Sequence, residues 1–265
     1  MEQRDLNDIR IIAKQAGLIL REGFEKQHDI QSKGKRDDLV TEMDKKSENF
    51  ILSRLTELYP GDMIITEESG SHDGNAEHVW YIDPLDGTMN YAHGVPFFAV
   101  SIGYAYRGEL LMGVVYDPMR DECFYAEKGK GAWLNGTPIH HSGRTDLDSA
   151  LFSTGFTMKL PEQMEDKNFR AFECLMKKSA GVRRIGVAAL EIAYVACGRL
   201  DGMWDLKLMA WDVAAGFVIA AETGIRITAL DGVSDAFKEP YNYIIANPEL
   251  HKALSEELSQ FHFLS

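Results

Sequence analysis

Cysteine is scarce in this chain. Only Cys123, Cys174 and Cys197 occur in 265 residues, widely spaced and odd in number. That excludes a disulfide framework and a paired-cysteine metal site, and it fits a protein kept in a reducing cytoplasm. Positive charge is also in deficit. Lys and Arg number 28 against 41 Asp and Glu, a formal net charge of −13. Such a surface suits neither nucleic acid nor an anionic membrane, so no partner of either kind is expected. No uncharged apolar run approaches the roughly 18 residues of a membrane span. The start, Met1-Glu2-Gln3-Arg4-Asp5, carries no apolar signal region. Internal repeats and low-complexity segments are missing as well. What is present is ordinary for a soluble globular protein: 45% apolar and 26% charged residues. The length allows a sizeable core, in one large domain or two packed halves.

One stretch concentrates the chemistry. Trp80-Tyr81-Ile82-Asp83-Pro84-Leu85-Asp86-Gly87-Thr88 begins as a buried strand, Val79 to Ile82, and ends in two aspartates across a proline. Pro84 fixes its own φ and biases Asp83 toward extended geometry. Asp86-Gly87 is a turn signal, and a turn there can aim both carboxylates at one point. Two carboxylates that close repel unless a proton or a cation lies between them. Hard oxygen donors of this kind suit Mg²⁺, which takes one or two carboxylates together with water and substrate phosphate. A bound cation would also offset the acidic field that otherwise disfavours a phosphorylated ligand. The plain alternative is a surface turn with a helix cap.

The rest of the chain supplies the frame. Residues 6 to 24 place apolar side chains at helical spacing. A basic, glycine-containing stretch from Lys33 reads as an exposed loop, and Asp44 opens a second helix, where it could serve as an N-cap. Pro60-Gly61 ends that helix. Met63 to Thr66 is a short strand running into Glu67-Glu68, of which only one can face the aspartates. His72 to His78 reads as a polar surface loop. Ala99 to Tyr106, Leu110 to Tyr116 and Glu122 to Glu127 read as an antiparallel meander. Gly129 to Gly136 is glycine-rich but lacks the Gly-Lys-Ser/Thr ending of a phosphate loop, so it reads as a turn between strands. Beyond residue 150 the pattern turns helical: Asp166 to Ser179, a small-residue helix from Ile185 to Cys197, an apolar helix from Val213 with Asp212 as its cap, and His251 to Phe261. Gly224 to Leu230 and Tyr243 to Ala246 read as strands.

Asp83-Pro84-Leu85-Asp86-Gly87-Thr88 resembles the first signature of the inositol monophosphatase family, the Mg²⁺-dependent, lithium-sensitive sugar phosphatases. Three further pieces stand in the family's order: Asp38-Leu39-Val40-Thr41 followed by Asp44, then Glu67-Glu68, and Ala210-Trp211-Asp212-Val213-Ala214-Ala215-Gly216. The resemblance spans most of the chain. It implies an α/β (α+β) layered sandwich of alternating helix and sheet layers. Residues 1–150 would form an N-terminal part with a large, mostly antiparallel sheet, and residues 151–265 a smaller C-terminal α/β part, with the metal site between them.

It also implies roles. Glu67, Asp83, the carbonyl of Leu85, Asp86 and Asp212 would hold two or three Mg²⁺ ions, with Asp83 bridging. Thr88 with Asp44 would activate water, partnered by Glu67. Gly87 and Thr88 would receive the phosphate, and Asp205, Gly186 and Ala188 would meet the leaving group beside Asp212. Lys33 (or Lys35) and Asp38 would belong to a mobile loop over the site. Members are commonly homodimers. The expected activity is hydrolysis of a phosphate monoester, inositol 1-phosphate first, by direct attack of water. NADP, 3′-phosphoadenosine 5′-phosphate or fructose 1,6-bisphosphate are alternatives on the same fold, and a non-catalytic regulatory binding module is the alternative of another class. The chain departs from the family pattern in three places. Asp205 stands where a Glu holds sugar hydroxyls, Val187 where some members carry Ser or Thr, and Gly224-Ile225 where the second signature ends Gly-Gly.

Overall fold

The computed structural model describes residues 4–24, 31–32, 39–40, 42–156, 161–239 and 241–263. Lys33, Lys35 and Asp38 lie outside them. In chain order the first half runs α1 (Leu6–Phe24), β1 (Gln31–Ser32), β2 (Leu39–Val40), α2 (Glu42–Leu58), β3 (Asp62–Thr66), β4 (Gly70–His72), β5 (Asn75–Asp86), α3 (Thr88–Ala92), β6 (Ala99–Tyr106), β7 (Glu109–Asp117), β8 (Glu122–Glu127), β9 (Ala132–Leu134) and β10 (Thr137–Pro138). The second half runs β11 (Leu151–Thr154), α4 (Glu162–Lys178), β12 (Gly181–Arg183), α5 (Ala188–Ala196), β13 (Gly202–Leu208), α6 (Ala210–Ala221), β14 (Arg226–Ala229), β15 (Tyr241–Ala246) and α7 (Pro248–Ser259). β1 and β2 pair only with each other.

Eight strands form one sheet in the order β10-β9-β8-β7-β6-β5-β3-β4, and only β3 and β5 run parallel in it. Side-chain alternation splits its two faces. Trp80, Ile82, Val100, Ile102 and Val114 pack against Ile9, Ile12 and Leu20 of α1 and Ile51 and Leu55 of α2. The opposite face, with Ala99 and Val115, meets α5 and α6. Five strands form the second sheet, β12-β11-β13-β15-β14, with β11 parallel to both neighbours. Met203, Tyr243 and Ile245 turn toward α5 and α6. Trp204, Leu206 and Ile244 turn the other way, onto Ala171 and Leu175 of α4 and Leu250 and Leu254 of α7. The layers therefore run α1/α2, eight-stranded sheet, α5/α6, five-stranded sheet, α4/α7. This is the layered α/β sandwich of alternating helices and sheets.

The middle layer explains the small-residue composition of α5 and α6, which lie between two sheets and are buried nearly all round. A Cβ at Gly113 of β7 would fall 2.3 Å from the Ala215 carbonyl oxygen, and one at Gly103 of β6 would fall 2.7 Å from the Ala214 Cβ. Two glycines thus let α6 lie directly on the sheet. Among the described residues no helix is long and apolar enough to cross a membrane.

Several sequence expectations need correction. His72 to His78 is not a loop throughout, because β4 reaches His72 and β5 begins at Asn75. Beyond residue 150 the expected helices are joined by three strands that the sequence does not announce, β11, β12 and β13. β11 and β12 are only four and three residues long, too short for a periodic signal. In β13 both faces are buried, which erases the alternation. Helices α4 and α6 start earlier than their apolar content suggests, and α5 starts later.

Candidate active site

Asp83 and Asp86 lie three residues apart on β5, and a regular strand would turn them to opposite faces. The register with β6 slips between them: Asp83 stands opposite Ser101 and Asp86 opposite Ala99, three steps against two. The extra residue is a β-bulge, and it restores both aspartates to one side. Pro84, which has no N–H to give the ladder, sits inside it. The bulge is tied from within and from α2. Asp83 Oδ1 accepts the Leu85 N–H at 2.9 Å, and the Ser47 hydroxyl donates to the Pro84 carbonyl at 2.9 Å. Thr88 Oγ1 donates to the Leu85 carbonyl at 3.1 Å. Gly87 then turns at φ 95°, where a Cβ would also press on Val187 Cγ2 at 2.9 Å. The strand thus continues to Asp86 rather than stopping at Ile82.

Four acidic side chains surround the Asp83 carboxyl, which is 2% exposed. It is held well above the usual carboxylate range, first by burial and then by the charges of Glu67, Asp86, Asp212 and Asp44. Asp86 is pushed up to about 7 by burial, with Glu67 and Asp205 adding to the effect. The N–H groups of Ala189 (2.7 Å to Oδ2) and Ala188 oppose it. Each residue arrives from a different element. Glu67 follows the last residue of β3, and Asp44 is buried in the first turn of α2. Asp212 is the third residue of α6 and reaches back with Oδ2 to the Met209 N–H at 2.7 Å. Neither Asp44 nor Asp212 is the N-cap itself, since α2 begins at Glu42 and α6 at Ala210.

The donor set is all oxygen and strongly self-repelling, which fits a hard divalent cation. Among the described residues no three His, Cys, Asp or Glu side chains are drawn into a closed coordination group. Mg²⁺ takes one or two carboxylates and fills its other positions with water and substrate oxygens, so it does not require such a group.

Asp205 is buried too, 3% exposed, and its charge reaches Asp86. Burial pushes it up to about 7, against the Leu206 N–H (2.7 Å to Oδ1), the charge of Arg184 and the Gly155 N–H. A Cβ at Gly155 would fall 2.4 Å from Asp205 Oδ2. A second register slip, between Asp205 and Leu208 against β15, places Lys207 at φ 57°. Gly186 is at φ 79°, and Ala188, the first residue of α5, gives its N–H to Asp86.

Two buried acids escape a reading of the sequence. Glu48 of α2 accepts with one oxygen, Oε2, both the Thr66 hydroxyl (2.6 Å) and the Glu68 N–H (3.1 Å). It therefore brackets Glu67 on both sides. The signal was there: Asp44, Ser47 and Glu48 at i, i+3 and i+4 continue the stripe of Ile51 and Leu55, so polar residues occupy a core-facing row. Glu191 of α5 is 1% exposed and accepts the N–H groups of Ile185 (3.1 Å) and Val187 (3.3 Å). Burial pushes it up to about 8, with Asp205 adding to the effect. A lone Glu in a run of Ala, Leu, Ile and Val is its only mark in the sequence.

Residues 2–262 match the model of a family described as the inositol monophosphatase family. A protein of Pseudomonas aeruginosa named Nus factor SuhB is 41% identical over 249 residues, covering 91% of each chain. The inositol-1-monophosphatase of Bacillus subtilis is 36% identical over 249 residues, covering 92% of each. The crystal structure of extragenic suppressor protein suhB from Bartonella henselae superposes with a TM-score of 0.91 at 35% identity, over 96% of this chain and 98% of that one.

Proposed function

Because the chain belongs to the inositol monophosphatase family, we propose that it is a Mg²⁺-dependent phosphoric monoester hydrolase acting on inositol 1-phosphate or a closely related polyol phosphate. The observation that carries this reading is the convergence of Glu67, Asp86, Asp212 and Asp44 on the buried carboxyl of Asp83. So much like charge in one place is costly without a cation, and useful with one.

Glu67, Asp83, Asp86, Asp212 and the Leu85 carbonyl are the groups that would hold the metal. A bound Mg²⁺ supplies Lewis acidity, drawing charge from the phosphoryl oxygens and acidifying an attacking water. The chain's own part is positioning, since phosphoryl transfer asks for in-line geometry and charge stabilisation more than covalent chemistry. Thr88 with Asp44 takes the proton of the attacking water. Thr88 donates its one proton to the Leu85 carbonyl; for the relay to run that proton must turn to Asp44, which engagement of the carbonyl by a metal would favour. The main chain at Gly87 and Thr88 receives the phosphate. Gly186, Ala188 and Asp205 orient the leaving alcohol, so the site lies at the junction of residues 1–150 and 151–265. Asp205, one methylene short of the family's Glu, leaves more room for that alcohol and shifts selectivity among sugar and nucleotide esters.

The test is phosphate release from inositol 1-phosphate, NADP, 3′-phosphoadenosine 5′-phosphate and fructose 1,6-bisphosphate, each with Mg²⁺ and with EDTA. Mg²⁺-dependent release from inositol 1-phosphate is expected. Silence across the panel from folded protein would overturn the reading.

A second reading draws on the relative named Nus factor SuhB, whose name describes no hydrolysis. On that reading the chain works as a binding factor. The five acidic positions and Thr88 are all in place, which favours retained catalysis.

A further inference from the structure

The segment from Ile185 to Ala189 carries the two backbone positions, Gly186 and Ala188, assigned above to the leaving group. Three side chains fasten it. Asp86 takes the Ala189 N–H at 2.7 Å. Asn90, in α3, donates through Nδ2 to the Ile185 carbonyl at 3.0 Å and to the Phe97 carbonyl at 3.0 Å. Glu191 accepts the Ile185 N–H at 3.1 Å and the Val187 N–H at 3.3 Å, one on each oxygen.

Glu191 goes beyond ordinary helix capping. A reach back from the first turn of α5 to the Val187 N–H, at the N-cap, would be a capping contact. The second bond goes past Gly186 to Ile185, so the two oxygens straddle the glycine. Asn90 holds the same residue from its carbonyl side, at the peptide that leads into Gly186. Gly186 itself, at φ 79°, adopts a conformation with few intrinsic alternatives for its neighbours but many for glycine. Without the two clamps, nothing on its own side chain would fix it.

We propose that Glu191 and Asn90 are positioning residues that set the shape of the leaving-group subsite, and with it the preference for polyol phosphates over esters whose alcohols make no contact there. The proposal rests on the phosphatase reading above. A misplacement of about 1 Å in a positioning group can cost on the order of a hundredfold in rate, and here the cost falls on substrates that use the segment.

The experiment compares kcat/KM for inositol 1-phosphate and for phenyl phosphate, both with Mg²⁺, in wild type, Glu191→Gln and Asn90→Ala. An amide at 191 keeps one acceptor and sets an NH₂ against the other N–H, so one bond is lost. Each variant is expected to lower the ratio of the two values by about tenfold or more, with phenyl phosphate the less affected. The double variant is expected to fall short of the product of the two, because both clamps hold one residue, Ile185, through its two adjoining peptides. Equal losses on both substrates, or no change in the ratio, would overturn the proposal. Thermal melts establish that each variant is folded, and should Glu191→Gln not fold, Asn90→Ala alone decides. A wild-type protein that cleaves neither ester would overturn the phosphatase reading instead.

Discussion

The carboxylate of Asp86 accepts the backbone N–H of Ala189 at 2.7 Å, across 103 residues of sequence. The bond joins the bulged end of β5 to the first turn of α5. It gives one acidic side chain two duties. One oxygen anchors the segment from Ile185 to Ala189, while the charge helps raise the Asp83 carboxyl.

Those duties separate under substitution. In Asp86→Asn the amide oxygen can still accept the Ala189 N–H, but the charge is gone. Hydrolysis is expected to fall by about a thousandfold, with the fold intact. The melting temperature should hold or rise, because repulsion at Asp83 is relieved. Phosphate-release kinetics and a thermal melt check both halves, and wild-type turnover would remove Asp86 from the mechanism.

Glu48 offers a separate test of how Glu67 is held. Both of its bonds land on Oε2, so Glu48→Gln can preserve them through the amide oxygen, whereas Glu48→Ala cannot. Groups that orient a metal ligand typically carry about 10- to 100-fold of metal affinity. Calorimetric titration of metal-free protein with Mg²⁺ should show that loss for the alanine variant and near-recovery for glutamine. Equal affinity in all three proteins would leave Glu48 a structural residue only.

The acidic positions were more legible in the sequence than the frame that holds them. Asp83, Asp86, Glu67, Asp44 and Asp212 stand in short contiguous patterns, and the structure brings them together. The bulge that aligns Asp83 with Asp86 is hidden, since alternation predicts opposite faces and only pairing with β6 reveals the slip. Strands β11 and β12 are stabilised by neighbours distant in sequence, so no local period announces them. Glu48 shows in the sequence only as a polar residue on the core-facing row of α2 and Glu191 only as a lone Glu in an apolar run, and the backbone groups they hold appear with the fold. Gly103 and Gly113 inside the meander strands give no local sign of their purpose, which appears with α6 laid across them.

Gly113 makes that last point measurable. Its ideal Cβ would meet the Ala215 carbonyl oxygen at 2.3 Å and the Ala215 Cα at 2.8 Å. These are backbone atoms in the middle layer and cannot swing aside. Gly113→Ala is expected to destabilise the protein by about 1–3 kcal/mol through overpacking, seen as a lower denaturation midpoint. Because α6 carries Asp212 in its first turn, hydrolysis should weaken as well. An unchanged midpoint would mean that α6 can lift from the sheet at little cost.

The acidic ring also fixes a sign for pH. Without metal, Asp86 and Asp205 are pushed up to about 7 from 3.8, chiefly by burial, and Glu191 to about 8 from 4.5. Between those limits the folded protein binds more protons than the unfolded chain, so unfolding free energy falls as pH rises. The contribution is fully present below the unfolded values and lost as pH climbs through 7 to 8. Mg²⁺ competes with protons at Asp86, the one of these three assigned to the metal, and offsets the lost stabilisation there. At a concentration 100 times its dissociation constant, a single such ligand adds about 2.7 kcal/mol. Thermal melts from pH 5 to 8.5 in EDTA should therefore decline, while the rise in melting temperature on adding Mg²⁺ should be small at pH 5 and largest near pH 8. Mg²⁺-dependent phosphate release should grow over the same window, vanish in EDTA and be inhibited by lithium. A metal-free protein that becomes more stable toward pH 8 would mean that the buried carboxyls are neutralised by something other than protons or a divalent cation.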